Sequence, residues 1–392
     1  MRYNFDTITE RKGTNSLKYD FAVEFGKQQD VIPLWVADMD FQTAPEILAR
    51  MKKAVEHGVF GYSDVKEAYF NAVAGWYQSN FGWQLKQEWL VKTPGVVFAI
   101  AAAIRAYTKE GDAVLIQQPV YYPFRNMIRH NQRVLVNNSL KLVNGHYEID
   151  FIDFEQKIIE NHVKMFILCS PHNPVGRVWQ EWELRKMGDI CVKHQVIVVS
   201  DEIHSDFTYE GHKHLVFSSL SPEYADRTVT CTAPSKTFNL AGLQASNIFI
   251  PNEELRSKLE KSIEATGYDE LNIMGLTACQ AAYEEGGAWL GELKEYLAAN
   301  LSFVRDFLRE YIPEVHLIEP EGTYLIWLDF RELGRNEEEL QDLIENKAKL
   351  WLDRGVIFGE EGAGFERINL ACPRQVLKRA MEQLKTAIHA QE

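Results

Sequence analysis

The chain has 392 residues, more than one average domain, and its 46% hydrophobic and 25% charged residues suit a globular protein with a large core, not a disordered or fibrous chain. Forty-two basic side chains face 56 acidic ones, and the net charge of −14 disfavours nucleic acid and anionic membrane as partners, leaving small molecules. The 5 cysteines are widely spaced without CxxC pairs and read as reduced, mostly buried thiols. The N-terminus lacks an apolar signal core and no stretch reaches membrane-span length, so a cytoplasmic protein is expected.

Residues 1 to 45 carry no strand–helix repeat. VKTPGVVFAIAAAIRAY (91 to 107) reads as a strand, a turn and a helix with small residues, whose first backbone amides could hold a phosphate. Short apolar runs then alternate with helical patterns: AVLIQQP (113 to 119), VLVNN (134 to 138), MFILCSP (165 to 171), VIVVSDE (196 to 202), TVTCTAP (228 to 234) and ASNIFIP (245 to 251). This is an α/β pattern. The runs at 165 and 196 are almost purely apolar and predict parallel central strands buried on both faces, joined by the helix-like EWELRKMGDICVKH. After Pro251 the pattern turns helical, followed by the strand-like TYLIWLDF (323 to 330) and the closing helix RQVLKRAMEQLKTAI. The expected organisation is a large domain over 46 to 287, and a small discontinuous α+β domain made of 1 to 45 and 288 to 392.

Four strings carry candidate chemistry. In TAPSKTFNLAGLQ (232 to 244), Lys236 stands at a strand end, where partial desolvation would free its amine for imine formation; a solvated surface lysine is the bland alternative. Asp201 follows the apolar VIVVS directly, at the kind of strand tip where α/β sheets bind ligands. A buried carboxylate there calls for a cation, and a protonated pyridine nitrogen would serve, although a helix or turn cap reads as well. Asn173 in MFILCSPHNPVG could donate to a phenolate oxygen or simply open a turn. Tyr121 and Tyr122 in QQPVYYPF could stack on a flat cofactor or fill the core. Glu202, His204, Asp206, His212 and His214 lack the spacing of a dedicated metal site, and no metal is expected.

Together and in this order, the strings resemble fold-type I pyridoxal-phosphate enzymes of the class I/II aminotransferase superfamily, over almost the whole chain. IPLWVADMDF (32 to 41), FGYSD (60 to 64), SDEIHSD (200 to 206) and APSKTFNLAGLQ (233 to 244) are most similar to its cystathionine β-lyase branch, the MalY/PatB-type C–S lyases. The resemblance implies a large domain with a mostly parallel central sheet flanked by helices, a smaller α+β domain, and pyridoxal 5′-phosphate as cofactor. It implies that Lys236 carries the cofactor as a Schiff base and then moves the Cα proton, while Asp201 pairs with the pyridinium nitrogen. Asn173 donates to the phenolate oxygen and Tyr121 stacks on the ring. The backbone at Gly95, Val96 and Val97, with Ser235, holds the phosphate. Tyr62 reaches that phosphate from a neighbouring subunit, so a homodimer with shared sites is expected. Arg367 in ERINLACPR grips the substrate carboxylate, with Arg374 the weaker candidate, and Tyr122 is placed at the substrate.

Three positions depart from the aspartate-aminotransferase pattern: His204 for a tyrosine, Ala233 for a phosphate-binding hydroxyl and Gln244 for a phosphate-binding arginine. The β-lyase branch shares all three, and His204 stands among the candidate cofactor contacts. The implied reaction is β-elimination on cystathionine or another L-cysteine S-conjugate. An aminotransferase uses the same common residues and remains the alternative, with a cofactor-binding regulatory protein as a further one. A dinucleotide dehydrogenase is disfavoured because the glycine fingerprint is missing.

Overall fold

The computed structural model describes residues 2–390. Its centre is a sheet of 7 strands in the order Leu90–Thr93, Ser246–Phe249, Thr228–Thr232, Ile197–Asp201, Met165–Cys169, Ala113–Ile116 and Val134–Asn137. Five of them, from Thr228–Thr232 to Val134–Asn137, run parallel to one another. Ser246–Phe249 runs antiparallel to both strands beside it, which returns Leu90–Thr93 to the common direction. The chain between Thr232 and Ser246 holds only a single-turn helix and a 3-10 turn, too little for the helical crossover that another parallel strand would need.

Alternation along the strands explains why both faces are covered. Val114, Ile116, Met165, Ile167 and Val199 join one apolar cluster with the Val96–Tyr107 and Glu253–Glu264 helices. Leu115, Phe166, Leu168 and Val198 face the opposite way and pack with Phe151–Glu160 and Glu181–Lys193. The Val96–Tyr107 helix can lie close to the sheet because Ala99, Ala102 and Ala103 are fully buried small residues. Glu181–Lys193, predicted between the two central strands, starts where Glu183 accepts the Gln180 N–H at 2.8 Å.

The strand predicted over 323 to 330 spans Leu325–Asp329 and lies in a second, antiparallel sheet with His316–Ile318, Phe365–Asn369 and Asp353–Arg354. The N-terminal segment reaches this part of the molecule, since Ile32–Pro33 pairs in parallel with Leu350–Trp351. The long Gly287–Tyr311 helix and the closing Arg374–His389 helix contribute to one apolar cluster that also takes in Tyr3, Phe5 and Phe41. Among the described residues no helix is long and apolar enough to cross a membrane. All five cysteines are free and buried.

Candidate active site

Parallel strands put their carboxyl ends along one edge, and that edge is where the chemistry collects. Asp201 ends its strand in register between Cys169 and Cys231. The chain leaving Met165–Cys169 reaches Asn173, the one leaving Ala113–Ile116 reaches Tyr121, and the one leaving Thr228–Thr232 turns at once into the Pro234–Thr237 helix that bears Lys236. Ser246 pairs with Thr93, so the turn at Gly95 and the start of the Val96–Tyr107 helix arrive at the same edge.

Between them lies a cavity of about 220 Å³, lined by Lys236, Asp201, Asn173, Tyr121, His204 and Ser235 together with Gly95, Val96 and Val97. Lys236 Nζ donates to the Ala37 carbonyl at 2.8 Å. Burial pushes the amine down to about 8, against the pull of Asp38, with Arg367 lowering it further. The Asp201 carboxylate accepts one hydrogen bond, from the Ile203 N–H at 3.1 Å, and among the described residues it has no salt-bridge partner. Desolvation drives it up to about 7. Asn173 Oδ1 accepts from Arg367 Nη1 at 3.0 Å, and its carbonyl accepts the Tyr121 N–H at 3.0 Å, which leaves the Asn173 amide NH₂ to donate elsewhere. His204 is held neutral by burial, down to about 3, and its Nδ1 is buried without a partner.

The anion end is built from backbone. Gly95, at φ +123, caps the Val96–Tyr107 helix, and the helix start offers amides with no acceptor of its own. The Gly95 N–H is already given to Ser246 Oγ at 3.1 Å, so Val96 and Val97 are the free donors of the expected trio. Gln244, at φ +49, lines the same end.

Arg367 is 2% exposed and touches this group through Asn173. Arg374 lies elsewhere, with Nε on Asn300 Oδ1 at 2.6 Å and its guanidinium over Phe303. Tyr122 does not line the cavity; it packs between Tyr121 and Phe358. Tyr62 is 98% exposed and is not brought to the cavity of its own chain. Glu202, Asp206 and His214, close to Asp201 in the sequence, are spent on structure. Glu202 accepts from Ser200, the Phe217 N–H and His214, and Asp206 accepts from Trp76 and Thr237. Among the described residues no three or more His, Cys, Asp or Glu side chains are grouped to hold a metal.

One segment that no single motif pointed to organises the floor of the site. Ala37 O accepts from Tyr324 as well as Lys236, Asn239 bonds to Met39 and Phe41, and Asn369 Nδ2 donates to the Val36 and Asp38 carbonyls. Arg11 and the fully buried Lys18 clamp Asp38 and Asp40 from outside. The strap Trp35–Phe41 therefore ties the lysine's loop to the arginine's strand. Its only signal in the sequence is the branch string IPLWVADMDF.

The donor set fits pyridoxal phosphate. A buried carboxylate lacking a cation suits a protonated ring nitrogen, a desolvated amine suits an aldehyde, and free helix-start amides suit a phosphate.

Comparison with known proteins agrees with this chemistry. Residues 29–384 match the family described as aminotransferase class I and II. The chain is 44% identical to cystathionine beta-lyase PatB of Bacillus subtilis (strain 168), over 98% of this chain and 100% of that one. It is 32% identical to protein MalY of Escherichia coli (strain K12), covering 99% of each. The crystal structure of cystalysin from Treponema denticola, which contains pyridoxal 5′-phosphate, superposes with a TM-score of 0.96 at 40% identity and full coverage of both chains, 100% each. By its sequence, its fold and the layout of its cavity, the chain belongs to the class I and II aminotransferase family, beside the cystathionine β-lyases.

Proposed function

We propose that the protein is a pyridoxal-phosphate-dependent carbon–sulfur β-lyase, cleaving cystathionine or another L-cysteine S-conjugate to a thiol, pyruvate and ammonia. The observation that carries this reading is the meeting of a desolvated lysine, Lys236, and a buried carboxylate without a cation, Asp201, on one cavity. The choice of sulfur chemistry follows the cystathionine β-lyase to which the chain is similar along its whole length.

In this reading Lys236 would hold the cofactor through its aldehyde group and Asp201 would pair with its ring nitrogen. Asn173 donates its NH₂ to the phenolate oxygen, and Tyr121 covers a ring face. Val96, Val97 and Ser235 hold the phosphate, with Gly95 shaping the turn and His204 adding a neutral wall. The bound cofactor supplies an electron sink for negative charge at the substrate Cα. Arg367 receives the substrate carboxylate, and that grip decides which Cα bond is aligned to break. Lys236 would be the base at the substrate Cα proton, and because burial lowers its amine to about 8, its neutral form is far more available near neutrality than that of an ordinary lysine. The Cβ–S bond would then break with the sulfur substituent leaving as a thiol or thiolate, and water would hydrolyse the remaining three-carbon fragment to pyruvate and ammonia. Tyr62, exposed on its own chain, completes the phosphate site of a second copy, so the working unit is a homodimer. The buried free thiols fit a cytoplasmic setting.

Purified protein given cystathionine and no 2-oxo acid should release pyruvate, ammonia and thiol in equal amounts. Amino-group exchange that needs a 2-oxo acid and yields no pyruvate would sink the lyase reading in favour of an aminotransferase. A second expectation concerns Lys236 itself. Because burial favours its neutral form, acetylation of this residue in cofactor-free protein should rise with pH through a midpoint near about 8, well below an ordinary lysine at 10.5. Mass spectrometry of the Lys236 peptide across a pH series reads this out.

A further inference from the structure

The short strand Asp353–Arg354 pairs antiparallel with Phe365–Asn369 in a register that sets Asp353 directly opposite Arg367. Residues so paired project to the same face with their Cβ atoms a few ångströms apart. Both are buried, at 6% and 2% exposure. Arg367 Nη2 donates to Asp353 Oδ2 and to the Trp35 carbonyl at 2.7 Å, while Nη1 donates to Asn173 Oδ1 at 3.0 Å. Three acceptors from three separate stretches of chain thus take three of the five N–H groups, and Nε is buried with no partner. Two of the anchors are also tied to each other. Trp351, two residues before Asp353, stacks on Trp35 with ring centroids 4.5 Å apart and planes 13° apart, and Leu34 N–H donates to Trp351 O at 2.9 Å.

We infer that Asp353 is the positioning residue for the substrate arginine, holding the Arg367 guanidinium in the orientation that leaves its Nε–H and its second Nη1–H for a substrate carboxylate. The inference rests on Arg367 being the carboxylate grip proposed above. Without Asp353, the guanidinium is left with one carbonyl and one amide oxygen as acceptors, neither of them charged. Asp353 itself does not touch the reacting atoms, so its loss should be felt only by ligands that carry a carboxylate.

The test compares L-methionine with its decarboxylated counterpart, 3-(methylthio)propylamine, each titrated against the chromophore of the cofactor-loaded protein. Asp353→Ala should weaken L-methionine by about tenfold or more and leave the amine within about twofold of wild type. Asp353→Asn, which keeps an acceptor oxygen and guards against a folding defect in the alanine variant, should fall between. Equal weakening of both ligands would assign Asp353 a merely structural role and overturn the inference, as would no change in either. Arg367→Ala separates the two layers. If that variant still prefers the amino acid over the amine as wild type does, the reading of Arg367 fails, and the inference with it.

Discussion

Lys236→Ala should yield a folded protein whose turnover of cystathionine is lower by roughly 10⁴-fold or more. The side chain makes one hydrogen bond, to the Ala37 carbonyl, and that carbonyl keeps the Tyr324 hydroxyl at 3.0 Å as a donor. Losing one such bond costs about 1 kcal/mol, and removing a desolvated amine relieves part of that cost, so the melting temperature should move little. Chemistry loses far more. On the proposed assignment the variant lacks both the covalent attachment and the base that moves the Cα proton, and no other amine among the described residues lines the cavity. Borohydride should fix the yellow chromophore of the wild type to a peptide containing Lys236, whereas the variant should lose its colour on dialysis. A colourless wild type that takes up no added cofactor would defeat the assignment of the whole site.

The legibility of this site follows from which signals are local. Asp201 and Lys236 each stand at or just beyond a buried parallel strand, and apolar runs mark such strands in the sequence; once the strands are parallel, their ends must meet. Asn173 and Tyr121 are readable for the same reason. Tyr122, one residue further on, is turned toward Phe358 because a helix begins there, and only the backbone path decides between the two tyrosines. The phosphate turn was readable as a strand, turn and helix, but the use of the Gly95 amide by Ser246 depends on a strand 151 residues away. Ser246–Phe249 looks like any apolar strand, and nothing within it announces that it runs antiparallel. The Glu67–Phe81 helix buries Tyr69, Phe70, Val73 and Tyr77 on one face, but Ala72, Trp76 and Phe81 spread apolar side chains beyond that face, so its pattern hides it. The strap at Trp35–Phe41 is furthest from local signals, because its partners lie hundreds of residues away, as with Tyr324 and Ala37, separated by 287. Asp353 and Arg367 are only 14 residues apart, but their pairing is set by sheet register, which no residue of either strand announces.

Asp201→Asn should change activity and stability in opposite directions. In the loaded enzyme the carboxylate is the anion that would keep the ring nitrogen protonated. An uncharged amide of nearly the same shape cannot, and kcat should fall on the order of 10³-fold, as for other losses of a preorganised charge in a dry site. In the cofactor-free protein the same carboxylate is a liability. Its folded pKa of about 7 lies above the ordinary 3.8, so between those values the native state holds a proton that the unfolded chain has released. The stability this group contributes is therefore present at low pH and declines as pH rises through that window, by up to about 1.4 kcal/mol per unit. Asparagine removes the titration, and the cofactor-free variant should melt higher than cofactor-free wild type at pH 8, with the difference shrinking toward pH 4. Adding pyridoxal phosphate should reverse the order, because only the wild type gains a cation for its buried carboxylate. Melting curves with and without cofactor at the two pH values decide the matter. A variant less stable than wild type in both states would mean that Asp201 serves the fold, not the cofactor.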